Sequence, residues 1–322
     1  MHTKDRPVLL ARALASVCSQ TYSDWHLYLV NDGGDARQVE QVLDVYRSLF
    51  AERITVLHHS DSQGMEAASN AALECSESDF LVIHDDDDSW HPRFLAETTS
   101  FLNAPEHNGY AAVITHTVVV YEHIEDDCVV EDRRADWANA LRSVDFFKML
   151  QTNQFPPVSC LMRRSVVDHI GRFNTALPVL GDWDYNLRIM LVGDIGVLQK
   201  KLAHYHHRTP LVTDAYGNSV GAGVAHHELY NTLYRNSLIR QFAKGDLANL
   251  ALINGLTQHT VWIDDMRSRL THIENVVAEI AHLGTRAATV LGVVEKALRI
   301  PRGLWYRLLP FRRVVARARG RV

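Results

Sequence analysis

The apolar positions of this 322-residue chain switch between a helical period and short strand-like runs, and the switching predicts a layered architecture. Residues 7–19 set Leu10, Ala13, Leu14 and Val17 on one helical face, with Pro7 suited to a first turn. WHLYLVNDGG (25–34) then reads as a short buried strand ending in an Asp-Gly-Gly turn. A helix is expected over about 36–50, a strand at ITVLHH (54–59) and a second helix over 64–75. FLVIHDDDD (80–88) is an apolar strand that runs straight into four carboxylates. Strand and helix alternate, so the class is α/β, with a mostly parallel (mixed) sheet sandwiched by helices. Ligands of such sheets bind beyond the carboxyl ends of the strands. Asp32 and the run at 85–88 both fall there, where a nucleotide is expected.

The stretch 110–210 is less regular. Strands are expected near 111–120 and 158–162, with a Pro-Pro turn at 156–157 and a helix beginning near Asp182. Residues 209–223 (TPLVTDAYGNSVGAG) read as a mobile connection, and Gly217, Gly221 and Gly223 would let it close over a bound ligand. Helices dominate after about 226. From 266 to 298 a heptad seam runs through Met266, Leu270, Ile273, Val277, Ile280, Gly284, Ala287, Leu291, Val294 and Leu298, which suits a helix packed along one partner, including a second copy of the chain. The expected division is therefore 1–245 for a catalytic domain, 246–298 for a helical appendage and 299–322 for a basic amphipathic tail.

Charge sharpens this division. Eight of the 33 basic residues lie in 299–322, which has no acid, so 25 remain against 38 acids in the rest. An acidic body of about −13 disfavours non-specific nucleic-acid binding, whereas the tail suits an anionic membrane surface, with Trp305, Leu308, Leu309 and Phe311 placed to insert. Pro301 and Pro310 would break its helix. No apolar run reaches the roughly 18–20 residues of a membrane span, and the polar opening MHTKDRP is not a secretory signal. Cys18, Cys75, Cys128 and Cys160 are widely spaced, which argues against a zinc site or a disulfide framework. The expected location is the cytoplasm, peripheral on the inner face of the membrane.

Four adjacent aspartates repel one another, and strand stability does not call for them. They read either as a solvated acidic turn or as hard oxygen ligands for Mg²⁺ or Mn²⁺ that a diphosphate would share. The weight falls on metal, because an apolar strand precedes the run and Ser89-Trp90-His91-Pro92 follows it. HYHHR (204–208) offers His204, His206, His207 and Arg208, either as surface residues at a strand end or as partners of metal and phosphate, with His207 and Arg208 preferred over His206.

Several segments in order resemble family 2 glycosyltransferases of the GT-A fold, over roughly residues 3–245. TKDRPVLLARALASVCSQTYSDWHLYLVNDGG resembles that family's opening helix and nucleoside-binding strand, SQGMEAASNAAL its next helix, FLVIHDDDDSWHP its metal-binding DXD segment and GDWDYNLRI the segment of its catalytic base. The resemblance implies inverting transfer of a sugar from a nucleotide-sugar donor to a glycan or lipid-linked glycan acceptor in cell-surface glycan synthesis. It implies that Asp32 contacts the base or ribose, that Asp85 and Asp87 fill the two DXD positions, and that Asp87 is the direct metal ligand. It further implies Asp86 near the ribose, Asp88 in support, and Asp182 as general base, with Asp184 a lesser candidate. Asp182 also reads as an N-cap for a helix beginning at Trp183, a compatible role.

Two departures stand out. The family's opening strand is expected to be absent, because only HTKDRP precedes the first helix, so that the start codon lies upstream or the copy is truncated. Ser69 stands where an arginine is common. Two other readings compete: a degenerate, non-catalytic membrane-attached scaffold, and another metal-dependent nucleotide enzyme. The last lacks a Gly-rich phosphate loop in its first strand–helix turn.

Overall fold

The computed structural model of the chain describes residues 1–125, 128–137, 141–208, 224–247, 249, 263, 265–278 and 280–282. Met1–Tyr234 form one compact unit, and a second begins at Arg235. The first unit opens with strand β1 (His2–Thr3), helix α1 (Pro7–Cys18), β2 (Leu27–Asp32), α2 (Ala36–Phe50), β3 (Ile54–His59), α3 (Met65–Cys75) and β4 (Phe80–Val82). Helix α1 buries Leu9, Leu10, Ala13, Leu14 and Val17, the face its spacing marks out, with Pro7 in its first turn. Helix α2 is capped by Asp35, whose carboxylate accepts from the Arg37 amide, and turns Val39, Leu43 and Phe50 into the same core.

Next come β5 (Ser89–Trp90), α4 (Phe94–Asn103), the long β6 (Tyr110–Glu125), β7 (Cys128–Asp136), α5 (Phe146–Gln151), β8 (Cys160–Arg163), α6 (Arg164–Ile170), α7 (Gly181–Val192) and β9 (Asp194–Arg208). Helix α8 (Val224–Ala243) runs to the end of the first unit and past it. Trp90 fixes the chain just after the aspartates. Its ring stacks on Phe94 at 4.6 Å and its Nε1 donates to the Val158 carbonyl at 2.8 Å. Burying an aromatic side chain this fully contributes about 2–3 kcal/mol.

The sheet is mixed, as expected. Strands β1, β2 and β3 pair in parallel, but in the second sheet (order β4-β8-β6-β9-β5, with β7 on β6) only β6 and β9 are parallel. The other pairings there are antiparallel, with β7 and β8 both running against β6. One expectation is corrected: the opening strand is present. His2 and Thr3 pair with Val30 and Asn31, and the Met1 ammonium donates to the Tyr28 carbonyl at 2.8 Å. His2 also bridges to Asp85, so two residues link β2 to the aspartate segment.

In the second unit residues 265–278 are helical, and Met266, Leu270, Ile273 and Val277 are exposed, as is Ile280. The rest of the heptad seam, the 209–223 connection and the 299–322 tail lie outside the described residues. Among the described residues no helix is long and apolar enough to cross a membrane, and all four cysteines are free.

The turn after β2 generates a test. Gly33 has φ +75°, and a β-carbon there would lie 2.3 Å from the Ser62 amide nitrogen. Gly33→Ala therefore meets both a left-handed backbone and a backbone clash, and should cost about 1–3 kcal/mol in chemical denaturation. A wild-type midpoint would show that this turn does not clamp β2 to the 60–64 loop.

Candidate active site

Strand β4 is only half-buried, whereas the aspartates beyond it are deeper: Asp86 is 0%, Asp87 9% and Asp88 1% exposed. Burying like charges this way demands cations, and they come from distant parts of the chain. Asp86 accepts from the Thr3 hydroxyl at 2.7 Å and pairs with Arg6 at 2.8 Å. Asp87 pairs with Arg208 at 2.5 Å and with Arg6 at 3.4 Å. Asp88 accepts from the His206 amide at 2.9 Å through Oδ1, while its Oδ2 is buried without a hydrogen-bonding partner among the described residues. Asp85 lies 3.4 Å from His2 Nδ1.

Behind these acids Glu122 on β6 gathers the cations. It accepts from Arg12 Nη1 and Arg208 Nη1, each at 2.6 Å, and lies 2.7 Å from His206 Nδ1. Arg12 donates onward to the Asp87 carbonyl. Burial pushes Glu122 up, but the hydrogen bonds and charges of His206 and Arg12 outweigh it and hold the carboxyl at about 2. Asp85, Asp86 and Asp88 move the other way. Burial first, then the Asp87 charge, lifts all three above the usual carboxylate range, against the pull of Arg6 on Asp85 and Asp86.

Among the described residues, five carboxylates (Asp85 to Asp88 and Glu122) thus face three guanidiniums (Arg6, Arg12, Arg208), a formal deficit of two positive charges before His2, His206 and the Met1 amine are counted. Burial lowers the His2 imidazole and brings the Met1 amine to about 6, so neither reliably fills that deficit at neutral pH. Asp85, Asp87 and Asp88 each offer an oxygen, all within 4.8 Å of one another. Hard oxygen donors, a two-charge deficit and the unsatisfied Asp88 Oδ2 fit a divalent cation such as Mg²⁺ or Mn²⁺.

The other expected residues sort by strand parity and by partner. His207 is not brought to the acids. On β9 alternate residues face opposite sides, so His206 and Arg208 reach Glu122 while the His207 ring lies 5.5 Å from that of Tyr121. Asp32 accepts from His59, Ser62 and the amides of Gln63 and Gly64, all within 2.9 Å, which close the turn after β3. Burial pushes Asp32 up, yet these four donors hold it at about 2. Asp184 is taken by Arg188 at 2.7 Å and by the Tyr234 hydroxyl at 2.9 Å.

Asp182 is differently placed. Helix α7 starts two residues earlier than the N-cap reading of Asp182 requires, with Leu180 at the cap position in a left-handed backbone (φ 69°) and no side-chain cap bond. Asp182 Oδ2 accepts from Asn153 at 2.7 Å, and Asn153 in turn accepts from Asn186 at 3.0 Å. Burial raises the Asp182 carboxyl above its ordinary range. Asp182 and Asp85 line one cavity of about 180 Å³, together with Glu66, Asn186 and Tyr205.

The sequence profile of Glycosyl transferase family 2 matches residues 1–171, more than half of the chain. The chain belongs to glycosyl transferase family 2. A PGL/p-HBAD biosynthesis glycosyltransferase of Mycobacterium bovis is 25% identical over 181 residues, 56% of this chain and 64% of that protein. The putative colanic acid biosynthesis glycosyl transferase WcaA of Escherichia coli is 33% identical over 96 residues, 30% of this chain and 34% of that one. The crystal structure of S. aureus TarS 1-349 in complex with UDP-GlcNAc superposes with a TM-score of 0.53 at 17% identity, over 71% of this chain and 63% of that chain. That likeness bears on the fold, which is of the same mixed α/β kind. The chain spans less than two thirds of the length of each of these relatives.

Within this family 2 chain, sequence reading missed Arg6, Arg12, Glu122 and Glu66. Glu122 carried a signal, as a carboxylate directly after the apolar run VVVY (118–121). Arg6 and Arg12 carried none, because nothing local tells an inward arginine from a solvated one.

Removing Glu122 leaves buried guanidiniums without their shared anion, so Glu122→Ala should cost about 3–5 kcal/mol in denaturant unfolding. The pH sign follows from the lowered folded value. The Glu122 contribution is present above the ordinary glutamate pKa of 4.5 and disappears as pH falls from there through about 2. The stability gap between wild type and Glu122→Ala should therefore narrow over that window. A gap unchanged down to pH 2.5 would remove Glu122 from the role of charged hub.

Proposed function

We propose that this chain transfers a sugar from a nucleotide diphosphate sugar to an acceptor hydroxyl, with inversion at the anomeric carbon. One observation carries the reading. A single cavity is lined on one side by an acid of the divalent-cation triad and on another by a buried carboxylate with a raised affinity for protons. Direct displacement needs both a place for the leaving diphosphate and a base for the incoming hydroxyl, and it needs no enzyme nucleophile.

Asp182 is the base in this reading. Asn153 donates to its Oδ2 and orients the carboxylate that takes the acceptor's proton. Burial makes it a better proton acceptor than an exposed aspartate, which suits removal of a proton from a weakly acidic hydroxyl. Asp87, with Asp85 and Asp88, holds the cation. Mn²⁺ or Mg²⁺ bound there supplies positive charge that stabilises a departing nucleoside diphosphate. Arg208, already steered by Glu122, places its guanidinium beside Asp87 on the diphosphate side. Asp86 and Asp32 act indirectly, through the Thr3–Arg6 turn and the 60–64 loop that bound the nucleotide region. The relatives named for PGL/p-HBAD and colanic acid biosynthesis support a role in cell-surface glycan synthesis.

The test is a panel of nucleotide sugars with Mn²⁺, scored for release of nucleoside diphosphate and for binding by calorimetry. Asp87→Ala should abolish metal-dependent binding. Asp182→Asn should retain binding and lose at least 10²-fold in turnover, with the wild-type rate falling on the acid side at a pH above the ordinary aspartate range. Full turnover by Asp182→Asn sinks the base assignment, and Mn²⁺-independent binding by wild type sinks the metal.

The tail 299–322, with eight arginines interleaved with Trp305 and Phe311, supports a further part of the reading: contact with an anionic leaflet that carries a lipid-linked acceptor. Flotation with vesicles containing acidic lipid should recover the full chain and lose a 1–298 truncation. Equal recovery of both would retire the membrane role.

A further inference from the structure

The cavity beside Asp182 contains a carboxylate that proton abstraction and cation binding leave unused. Glu66, in the first turn of α3, is 8% exposed and faces the same space as Asp85, Asp182 and Asn186. The acids around Arg6, Arg12 and Arg208 are paired with those guanidiniums. Glu66 has no ion-pair partner among the described residues; only the amides of Gly181 and of Glu66 itself point at it. Burial, reinforced by the charges of Asp182 and Asp85, brings its carboxyl up to about 6.

Its seat is unusual. A β-carbon on Gly181 would lie 2.2 Å from Glu66 Oε1 and 2.6 Å from its Cγ. Glu66 thus fills the space that any side chain at 181 would need, next to Asp182 at the start of α7. The φ of Gly181 is not in the left-handed region, so the glycine is required by this contact and not by its backbone.

An unpaired carboxylate kept in a pocket is costly unless a ligand completes it. The pocket suggests which ligand. Its exposed walls are largely apolar (Ile83, Met162, Phe173), and Glu66, Ser69 and Asn186 are among the polar residues that line the same space. A pyranose has that same division, with C–H faces to lie on apolar walls and hydroxyl edges to meet polar groups. The triad side receives the diphosphate and Asp182 receives the acceptor's proton, so the ring between them is the transferred sugar.

We propose that Glu66 is a specificity-determining residue that accepts a hydrogen bond from a ring hydroxyl of the transferred sugar, and that Gly181 makes room for it. This rests on the glycosyl-transfer reading of the cavity. A hydrogen bond to a buried charged acceptor corresponds to about ten- to a hundredfold in affinity.

The experiment measures binding to the full chain with Mn²⁺ by calorimetry. The probes are UDP, GDP and dTDP, each compared with its sugar conjugate (UDP-glucose, UDP-N-acetylglucosamine, GDP-mannose, dTDP-rhamnose). Wild type should bind one conjugate more tightly than its own nucleotide. Glu66→Ala should erase that gain and leave the nucleotide's affinity within about twofold, with an unfolding midpoint no lower than wild type. Glu66→Gln, which keeps an accepting oxygen, should retain part of the gain. Gly181→Ala should lose the gain by expelling the carboxylate, and the double variant should be no worse than Glu66→Ala alone. A full gain in Glu66→Ala, equal losses for nucleotide and conjugate, or no conjugate exceeding its nucleotide in wild type would each overturn the proposal. A chain that binds none of the three nucleotides fails the glycosyl-transfer reading itself and takes this assignment with it.

Discussion

Burying three of four consecutive aspartates, with Asp85 half-buried beside them, is the constraint around which this molecule is built. Ionised carboxylates removed from water cost several kcal/mol each unless cations and hydrogen-bond donors replace the lost solvent. No single element supplies enough of them. Arg6 comes from the turn before α1, Arg12 from α1 itself, Arg208 from the end of β9, and Glu122 on β6 holds the last two in place. The requirement therefore ties the opening turn, the first helix and the two parallel strands of the second sheet to one point. That point is also where the two sheets meet, through the His2–Asp85 bridge and the Thr3–Asp86 hydrogen bond. Site and scaffold are one structure here, which explains why the aspartates are more buried than the strand that carries them.

Much of the scaffold was legible because it is written locally. Pro7 with the Leu10–Leu14–Val17 face, and the apolar run before each turn, specify α1, β2, α2, β3 and α3 within a residue or two. The pairing within the mixed sheet was not legible, since strand direction in β6 to β9 depends on which strands pair across some 50 to 90 residues, and periodicity does not encode pairing. The two-residue β1 escaped for a related reason. His2 and Thr3 are too few to show a pattern, and only their register against Val30 and Asn31 makes them a strand.

The site shows the same boundary between local and non-local information. The acids at 85–88 and Asp182 were visible because their chemistry is out of keeping with neighbouring apolar runs. What each acid faces was not visible. In HYHHR three histidines compete, and strand parity decides between them once Arg208 is known to face Glu122; that partner lies 86 residues away. Asp32 looked like a ligand contact because it ends a strand, but its four donors come from His59 and the 62–64 turn, whose folding back depends on the Gly33 turn. Asp184 and Asp182 are two residues apart on one helix, and their different fates follow from Arg188 and Tyr234 on one side and Asn153 on the other.

The two groups of acids also differ in a way that group transfer requires. At the strand ends, carboxylates are surrounded by guanidiniums and, among the described residues, remain formally two positive charges short, so in the proposed reading that region would accept a cation and, with it, an anionic phosphate. At the starts of α3 and α7, Glu66 and Asp182 have amide and asparagine donors but no arginine or lysine paired with them among the described residues, and burial raises their affinity for protons. Had the arginines been shared evenly, the helix-side acids would be too weakly basic to receive a proton from a hydroxyl, and the strand-side acids would repel a diphosphate. Segregating the cations to one wall would let a single cavity stabilise a departing anion on one side while drawing a proton on the other. The reading of the chain as a transferase depends on that asymmetry more than on any one aspartate.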